Sequence, residues 1–400
     1  MTVPLFDLTR QNEALREELR AAADRVLSSG RFVLGEEVEA FEAEIAALLG
    51  APGALAVSSG TDALLLSLMA AGVGPGDEVV VPDFTFFATA GCVARLGARP
   101  VFADVCPLCF QIRPESFAER IGERTKAVVP VHLFGHPADM DRIGAIAAEH
   151  RVTVVEDCAQ SIGARFGGRA TGTIGDFGAV SFFPTKNLGG FGDGGLLLAR
   201  DPGNFERAKI LRVHGMAPKY HHSLVGGNFR MDALQCALLR VKLPRLGDYN
   251  EARRRNAAHY LEALGAHPSV FRPSPEDAGS GDCPCPCRGG DPSPGEGARL
   301  ILPFAYPDRE ATWNQFTVRI PGEGRRDRFR ECLAAAGIGT EIYYPLPLGA
   351  QPCFAAHEPD PCPNAATVAR ECVSLPVFPE LTPSERGRVV EAVAGWLDAG

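Results

Sequence analysis

One lysine of this chain stands where an ammonium group gains little from its neighbours. Lys186 lies in Phe182-Phe183-Pro184-Thr185-Lys186-Asn187-Leu188-Gly189-Gly190-Phe191-Gly192-Asp193-Gly194-Gly195, and no other basic residue occurs between Arg169 and Arg200. Removal from water disfavours the charged form, so a lysine held among aromatic and glycine residues tends toward the neutral amine near pH 7. In that state lysine attacks a carbonyl carbon to form a Schiff base. The plainer alternative is a lysine on a glycine-rich surface loop, and this stretch alone leaves both open.

Three further clusters each follow a short apolar run. Ser58-Ser59-Gly60-Thr61-Asp62 follows Leu55-Ala56-Val57 and opens Ala63-Leu64-Leu65-Leu66. A strand, a small-residue turn and a helix N-terminus leave backbone N–H groups and a positive dipole end free for an anion, most naturally a phosphate. The alternative is a simple helix cap, and the G-x-x-x-x-G-K-[ST] nucleotide loop is absent. Asp83-Phe84-Thr85-Phe86-Phe87-Ala88-Thr89 follows Val79-Val80-Val81-Pro82 and offers an aromatic ring either to a flat ligand or to the core. Val154-Val155-Glu156-Asp157-Cys158-Ala159-Gln160 closes an apolar strand with two carboxylates. A buried carboxylate is costly unless it meets a cation. An arginine would serve; so would the nitrogen of a pyridinium ring, which stays protonated beside Asp157 and keeps the ring an electron sink. In chain order the clusters give a phosphate cradle, an aromatic, a ring-nitrogen Asp157 and the isolated Lys186, with Ser181 five residues before the lysine. That sequence describes a site for pyridoxal phosphate.

The elements that must carry these residues are legible from periodicity. Apolar runs of β type lie at 54–58, 78–81, 100–103, 127–131, 152–155, 178–182 and 195–199, with helical segments such as 62–71 and 138–150 between them. The alternation predicts an α/β protein with a mostly parallel, doubly wound seven-stranded sheet, whose ligands bind at the carboxyl ends of the strands. Ahead of it, Leu15, Leu19, Ala22 and Val26 mark a helix over 10–29, and Val38, Phe41, Ile45 and Leu48 a second one. Beyond about residue 230 come a helix through Leu234, Leu238 and Val241, an arginine-rich helix from Tyr249 to Leu264, and a Pro/Gly/Ser/Cys-rich loop at 273–299. Strand-like Phe316–Ile320, a helix over 325–336, a run at Ile342–Tyr344 and a last helix with Val389, Val393 and Trp396 complete a smaller α/β unit. We expect a large domain over 1–245, including the N-terminal helical segment, and a small C-terminal domain over 246–400.

Four hundred residues suffice for two such domains. A net charge of -9 argues against nucleic-acid or anionic-membrane partners. No run reaches the length of a membrane span and the N-terminus lacks a secretory pattern, so a cytoplasmic protein is expected. Most of the twelve cysteines, such as Cys92, Cys158 and Cys236, sit singly in apolar stretches and read as buried hydrophobes in a reducing compartment. Cys106-Pro107-Leu108-Cys109 and Cys283-Pro284-Cys285-Pro286-Cys287 lack a matching second half at zinc spacing, and no metal is expected.

From about Gly35 to about Thr382 the chain resembles the DegT/DnrJ-type nucleotide-sugar aminotransferases, fold-type I pyridoxal-phosphate enzymes. The resemblance is carried by Ser59–Leu64, Gly76–Val79, Thr125–Gly135, Glu156–Gln160, Ser181–Gly189, Gly192–Gly195 and Gly227-Asn228-Phe229-Arg230-Met231-Asp232. It implies that Lys186 joins the cofactor covalently and later shuttles a proton, that Asp157 pairs with the ring nitrogen, that Gln160 lies near the ring oxygen, and that Phe86 stacks on the ring. It implies a phosphate held by Gly60, Thr61, Asp62 (through its backbone N–H) and Ser181, with Asn228 reaching in from the second subunit of a homodimer. Glutamate as donor, a keto sugar on a nucleoside diphosphate as acceptor, and a ping-pong cycle between pyridoxal phosphate and pyridoxamine phosphate follow from the same resemblance. His214, Arg230 and Tyr343 fall on the substrate side. His214 either touches substrate or orders its loop, and Arg230 either neutralises substrate or makes an intersubunit ion pair. Tyr343 and Gly349 stand where the family often has histidines. Two rival readings are a pyridoxamine-phosphate-dependent sugar dehydratase, whose relatives carry histidine in place of Lys186, and a regulatory or sensory protein on the same scaffold.

Overall fold

The computed structural model describes residues 2–274, 297–304 and 306–399; the Cys283–Cys287 cluster lies outside them. The seven apolar runs form one sheet of β1 (Ala54–Val57), β2 (Glu78–Pro82), β3 (Arg99–Ala103), β4 (Thr125–Val128), β5 (Thr153–Asp157), β6 (Phe177–Ser181) and β7 (Gly195–Ala199). Their order across the sheet is β1-β7-β6-β5-β4-β2-β3. β7 runs antiparallel to both its neighbours and the other pairs are parallel. The run expected to extend β4 to Val131 ends earlier, and Val131 instead makes a single bridge to Asp157. Both sheet faces are covered, so the strands read as continuous apolar runs. Alternate residues still serve different cores: Leu55, Val57, Leu197 and Ala199 face one, and Ala54, Ala56, Leu196 and Leu198 the other.

The N-terminal helical stretch is broken at Leu15, whose buried side chain marks a turn between Leu8–Ala14 and α1 (Arg16–Ser29). α1 and α2 (Glu36–Leu49) end at Gly30 and Gly50 in the left-handed conformation that glycine adopts without a Cβ clash. α3 (Gly60–Ala70) is apolar on every side because Leu64, Leu65, Leu66 and Leu68 are all buried. α4 (Ala88–Arg95) and α5 (Met140–His150) follow β2 and β4, and α6 (Ala233–Lys242) packs with α1 and α2 in the second core.

A four-stranded sheet forms the smaller unit, with β8 (Val270–Phe271), β9 (Leu300–Ile301), β10 (Phe316–Arg319) and β11 (Cys372–Leu375), covered by α8 (Arg325–Ala335) and α9 (Pro383–Asp398). The Ile342–Tyr344 run is not a strand; a lone bridge from Glu341 to Ser374 precedes it, and the tyrosines turn toward the large sheet. α7 (Leu246–Gly265) joins the units: Leu246 packs in the large core, while Ala257, Tyr260 and Leu264 pack in the small one. The N-terminal segment, expected with the large domain, begins on the small one. Val3 pairs with Ile338 inside the C-terminal core, and Arg10 binds Glu385 of α9 at 2.7 Å. Among the described residues no helix is long and apolar enough to cross a membrane.

Close backbone approach at one position supports the site. A Cβ on Gly178 of β6 would stand 2.3 Å from Gly172 O. Its absence lets the loop lie on the strand, where the N–H groups of Gly172, Ile174 and Gly175 donate to the buried Glu156 carboxylate at 2.8, 2.8 and 2.7 Å. Gly178→Ala is therefore expected to destabilise the protein by at least the 1–3 kcal/mol roughly typical of overpacking. Gly387→Ala, in α9 with open space around it, should stabilise by up to about 1 kcal/mol. Urea-unfolding midpoints that fail to move in opposite directions would refute the packing account.

Candidate active site

Asp157 ends β5 at the centre of the sheet and is almost fully buried. Its Oδ2 accepts a hydrogen bond from Thr89 Oγ1 at 2.9 Å, and its Oδ1 accepts one from Ala159 N–H at 3.1 Å. Among the described residues no cation contacts it. Burial raises its pKa, opposed by those two hydrogen bonds and by the nearby charge of Lys186.

Lys186 follows β6 on a turn closed by its own N–H to Phe183 O at 2.8 Å and by Gly190 N–H to Phe182 O at 2.8 Å. The turn needs glycine at 189, because a Cβ there would lie 2.0 Å from Pro184 O. Among the described residues the Lys186 amine makes no hydrogen bond or ion pair. The side chain is half-buried, yet desolvation lowers the amine's pKa to about 8, with Asp157 pulling the other way. Desolvation thus disfavours the charged form of each group, and the two lie near enough for each to favour the other's charge.

Glu156 points to the other face and answers the question of its counter-charge differently from an arginine pair. Besides the three backbone N–H groups, it accepts from His132 Nε2 at 2.9 Å. His132 Nδ1 accepts from Ala138 N–H at 3.0 Å, and since an amide can only donate, the ring proton is on Nε2. His132, Glu156 and Cys158 place ligand atoms within 4.8 Å of one another, but the carboxylate and both imidazole nitrogens are already engaged. His132 and Glu156 form a hydrogen-bonded brace next to Asp157 in the chain. At the other cysteine pair, Cys106 Sγ accepts from Leu108 N–H and Cys109 N–H, each at 3.4 Å, and Tyr306 O–H donates to Cys109 Sγ at 3.1 Å.

The turn before α3 engages some of its polar groups and leaves others open. Ser59 Oγ caps the helix by accepting Asp62 N–H at 3.0 Å, and Ser58 Oγ holds the Asp62 carboxylate at 2.6 Å. The Asp62 N–H, expected to serve a phosphate, is thus committed to the cap. Among the described residues the N–H groups of Gly60 and Thr61 make no hydrogen bond and are the open donors. Gly60 lies against Ser181, where a Cβ would come within 2.6 Å of Ser181 Cβ, so the two candidate phosphate elements touch.

The other expected residues fall into two groups. Gln160 is buried, with Oε1 accepting Phe134 N–H at 2.6 Å and Nε2 donating to Tyr344 O–H at 3.4 Å. Phe86 is 55 % exposed at the end of β2, and its ring centre lies 6.0 Å from that of Tyr344. Tyr343 is half-buried beside Tyr344, ring centres 5.9 Å apart. Asn228 and His214 are exposed on the segment whose Val213 and Asn228 bridge, and His214 O accepts from His222 Nδ1 at 2.9 Å. Arg230 bridges to Val57, and among the described residues its guanidinium has no partner.

Sequence reading missed Thr89, Tyr344 and Asp83. Thr89 sits four residues after Thr85 at the start of α4, and the two hydroxyls lie 3.4 Å apart on one face, a helical spacing the aromatic run concealed. Asp83 latches the C-terminal segment to the end of β2: its carbonyl accepts Leu348 N–H at 2.7 Å and its Oδ1 accepts Gly349 N–H at 2.6 Å. A side chain at 349 would meet Asp83 Oδ1 at 3.1 Å and Pro359 at 3.2 Å, which explains glycine at that position.

The charge balance makes a measurable statement. In the cofactor-free chain, acylation of Lys186 read by peptide mass should rise with pH around a midpoint near 8 instead of the ordinary 10.5. Asp157→Asn removes the charge that favours the ammonium and should move that midpoint lower. A midpoint at the ordinary lysine value would contradict the desolvation of the amine.

Comparison with known proteins places this geometry. The profile of the DegT/DnrJ/EryC1/StrS aminotransferase family matches residues 13–282 and 297–394. A protein of Geobacillus stearothermophilus named pleiotropic regulatory protein is 42% identical over 396 residues, covering 98% of each chain. An Acidithiobacillus ferrooxidans protein named as a UDP-N-acetyl-3-dehydro-alpha-D-glucosamine 3-aminotransferase is 39% identical, covering 99% of this chain and 98% of that one. The crystal structure of DesV from S. venezuelae with a ketimine intermediate superposes with a TM-score of 0.88 at 40% identity, covering 99% of both chains. With a family match over nearly its whole length and relatives of this identity and coverage, the chain belongs to the DegT/DnrJ/EryC1/StrS aminotransferase family.

Proposed function

We propose that this protein is a pyridoxal-phosphate aminotransferase that takes the amino group of glutamate and delivers it to a keto sugar carried on a nucleoside diphosphate. The observation that carries the reading is the pairing of a desolvated Lys186 amine with a buried Asp157 that has no cation in contact. The residues fit the cofactor of this family. Asp157 lacks the positive partner that a protonated ring nitrogen provides, Lys186 has an amine free to react, and Gly60 and Thr61 offer two unengaged N–H donors to a phosphate at the N-terminus of α3. Bound there, pyridoxal phosphate supplies the electron sink for the carbanion left when a proton departs the amino-bearing carbon.

Each residue has a definable task. Asp157, held in orientation by Thr89 and Ala159, keeps the proton on the ring nitrogen. Lys186 moves a proton between substrate carbon and cofactor, and a pKa of about 8 leaves roughly a tenth of the free amine neutral at pH 7, enough to act as base. Phe86, exposed after β2, would help hold the cofactor ring. Gln160, fixed by Phe134 and Tyr344, would offer it a polar contact. The unpartnered Arg230 guanidinium suits a diphosphate or the donor carboxylate, and Tyr343 and His214 lie on the substrate side. The exposed Asn228, together with Phe86, Phe183 and Phe191 at 55, 51 and 41 % exposure, supports a homodimer in which each subunit completes the other's site.

The name of the Geobacillus relative favours a second, regulatory reading. One comparison separates the two. The purified chain with pyridoxal phosphate should show a visible absorbance band that changes when glutamate is added, and borohydride should fix the cofactor to Lys186. Lys186→Ala should abolish the adduct and lower turnover by at least about 10³-fold, the scale of losing a positioned base. Undiminished turnover in that variant would end the aminotransferase reading.

A further inference from the structure

Lys186 is followed by Asn187, whose side chain is 3% exposed and fully engaged. Its Nδ2 donates to Asn250 Oδ1 at 2.6 Å and to Thr312 O at 3.1 Å, while its Oδ1 accepts from Asn314 Nδ2 at 2.6 Å. Asn250, in α7, donates its own Nδ2 to Ile162 O at 3.0 Å. All three asparagines are buried, at 3, 3 and 6% exposure. Two backbone carbonyls, which can only accept, fix the direction of the ladder. Thr312 O requires the amide nitrogen of Asn187 on its side, which turns Asn187 Oδ1 to Asn314. Ile162 O requires the nitrogen of Asn250, which turns Asn250 Oδ1 to Asn187. No flip of one amide is tolerated without setting two like groups against each other.

The rest of the molecule accommodates this ladder. Gly163, at φ +83°, has no Cβ to stand 2.6 Å from Asn250 Nδ2. Thr312 N–H donates to Gly135 O at 2.9 Å and Thr312 Oγ1 to Gln160 O at 3.3 Å, so the ladder's carbonyl belongs to a segment also bound to the two turns that hold Gln160. Further along the lysine loop, Lys242 Nζ donates to Gly189 O at 2.9 Å and Gln235 Oε1 accepts Phe191 N–H at 2.9 Å. These two contacts meet the loop beyond Lys186, whereas Asn187 is its immediate neighbour.

We propose that the Asn314–Asn187–Asn250 ladder is a positioning device for Lys186, gripping the adjacent residue from behind so that the reacting amine has one place to be, and tying that place to α7 and the 312–314 segment. This rests on Lys186 being the reacting amine. Asn187, Asn250 and Asn314 are positioning residues, since none is required to touch substrate.

The test uses the full chain with pyridoxal phosphate and the variants Asn314→Asp, which sets a carboxylate oxygen against Asn187 Oδ1, and Asn250→Ser, which shortens the ladder at its other end. We expect kcat to fall by about 10- to 100-fold, the scale at which misplacing a reacting group is felt, with KM for glutamate changed less than about twofold. The pH midpoint of the cofactor's visible absorbance should rise, and so should the Lys186 acylation midpoint in the cofactor-free chain. Either variant folding with a lowered melting temperature but with unchanged kcat and unchanged midpoints would overturn the proposal and leave the ladder a stability feature. If one variant fails to fold, the other decides. Lys186→Ala run alongside separates the cases: loss of adduct and turnover there, with normal behaviour in the ladder variants, defeats the ladder and spares the aminotransferase reading.

Discussion

The site depends on an acid and a base withdrawn from water together without being allowed to neutralise each other by contact. Asp157 is pushed up and Lys186 pushed down, each chiefly by desolvation. For the lysine, a value near 8 against an ordinary 10.5 corresponds to roughly 3 kcal/mol against the charged form. An uncompensated carboxylate in such a place is a standing cost to the fold. In the proposed reading a cationic heterocycle held against Asp157 would remove that cost. Binding energy and reactivity therefore come from the same desolvation.

The sheet makes that withdrawal possible. Asp157 leaves the central parallel strand at its carboxyl end, where helix N-termini and turns gather. Its neighbour Glu156, one residue earlier and so on the other face, is satisfied by His132 and three loop N–H groups. The period of the strand thus separates a carboxylate held by four hydrogen bonds from one that accepts two and meets no cation among the described residues. Polar satisfaction on one face and its deliberate lack on the other are what a single Glu-Asp pair can encode.

How much of this could be read without coordinates varied with the range of the interaction. The seven strands, most helices and the order of site clusters were legible, because strand runs, helix periodicity and cap residues such as Gly30 and Gly50 are local signals. What was not legible is long-range. Thr89 meets Asp157 across 68 positions and Asn187 meets Asn314 across 127, and neither partner carries a local mark. The same holds for Asp83 and Gly349, separated by 266 positions, whose hydrogen bond explains a glycine that looked only like a departure from the family pattern. Val3, paired with Ile338 in the C-terminal core, is a contact of this kind too.

That a close relative is named a regulator does not weigh against chemistry here, because a fold does not carry a function and the residues of a site do. A protein that only binds a sugar nucleotide gains nothing from keeping a lysine amine unpartnered in a dry place, since an ammonium paired with a carboxylate would bind an anionic ligand equally well and stabilise the fold besides. Nor does it gain from a carboxylate whose hydrogen bonds from Thr89 and Ala159 orient it without supplying a counter-charge. Both features are unfavourable for the empty protein and acquire a use only when charge must develop and be moved beside them. A regulatory role for such a molecule would then act through its reaction, by what it aminates, and not in place of it.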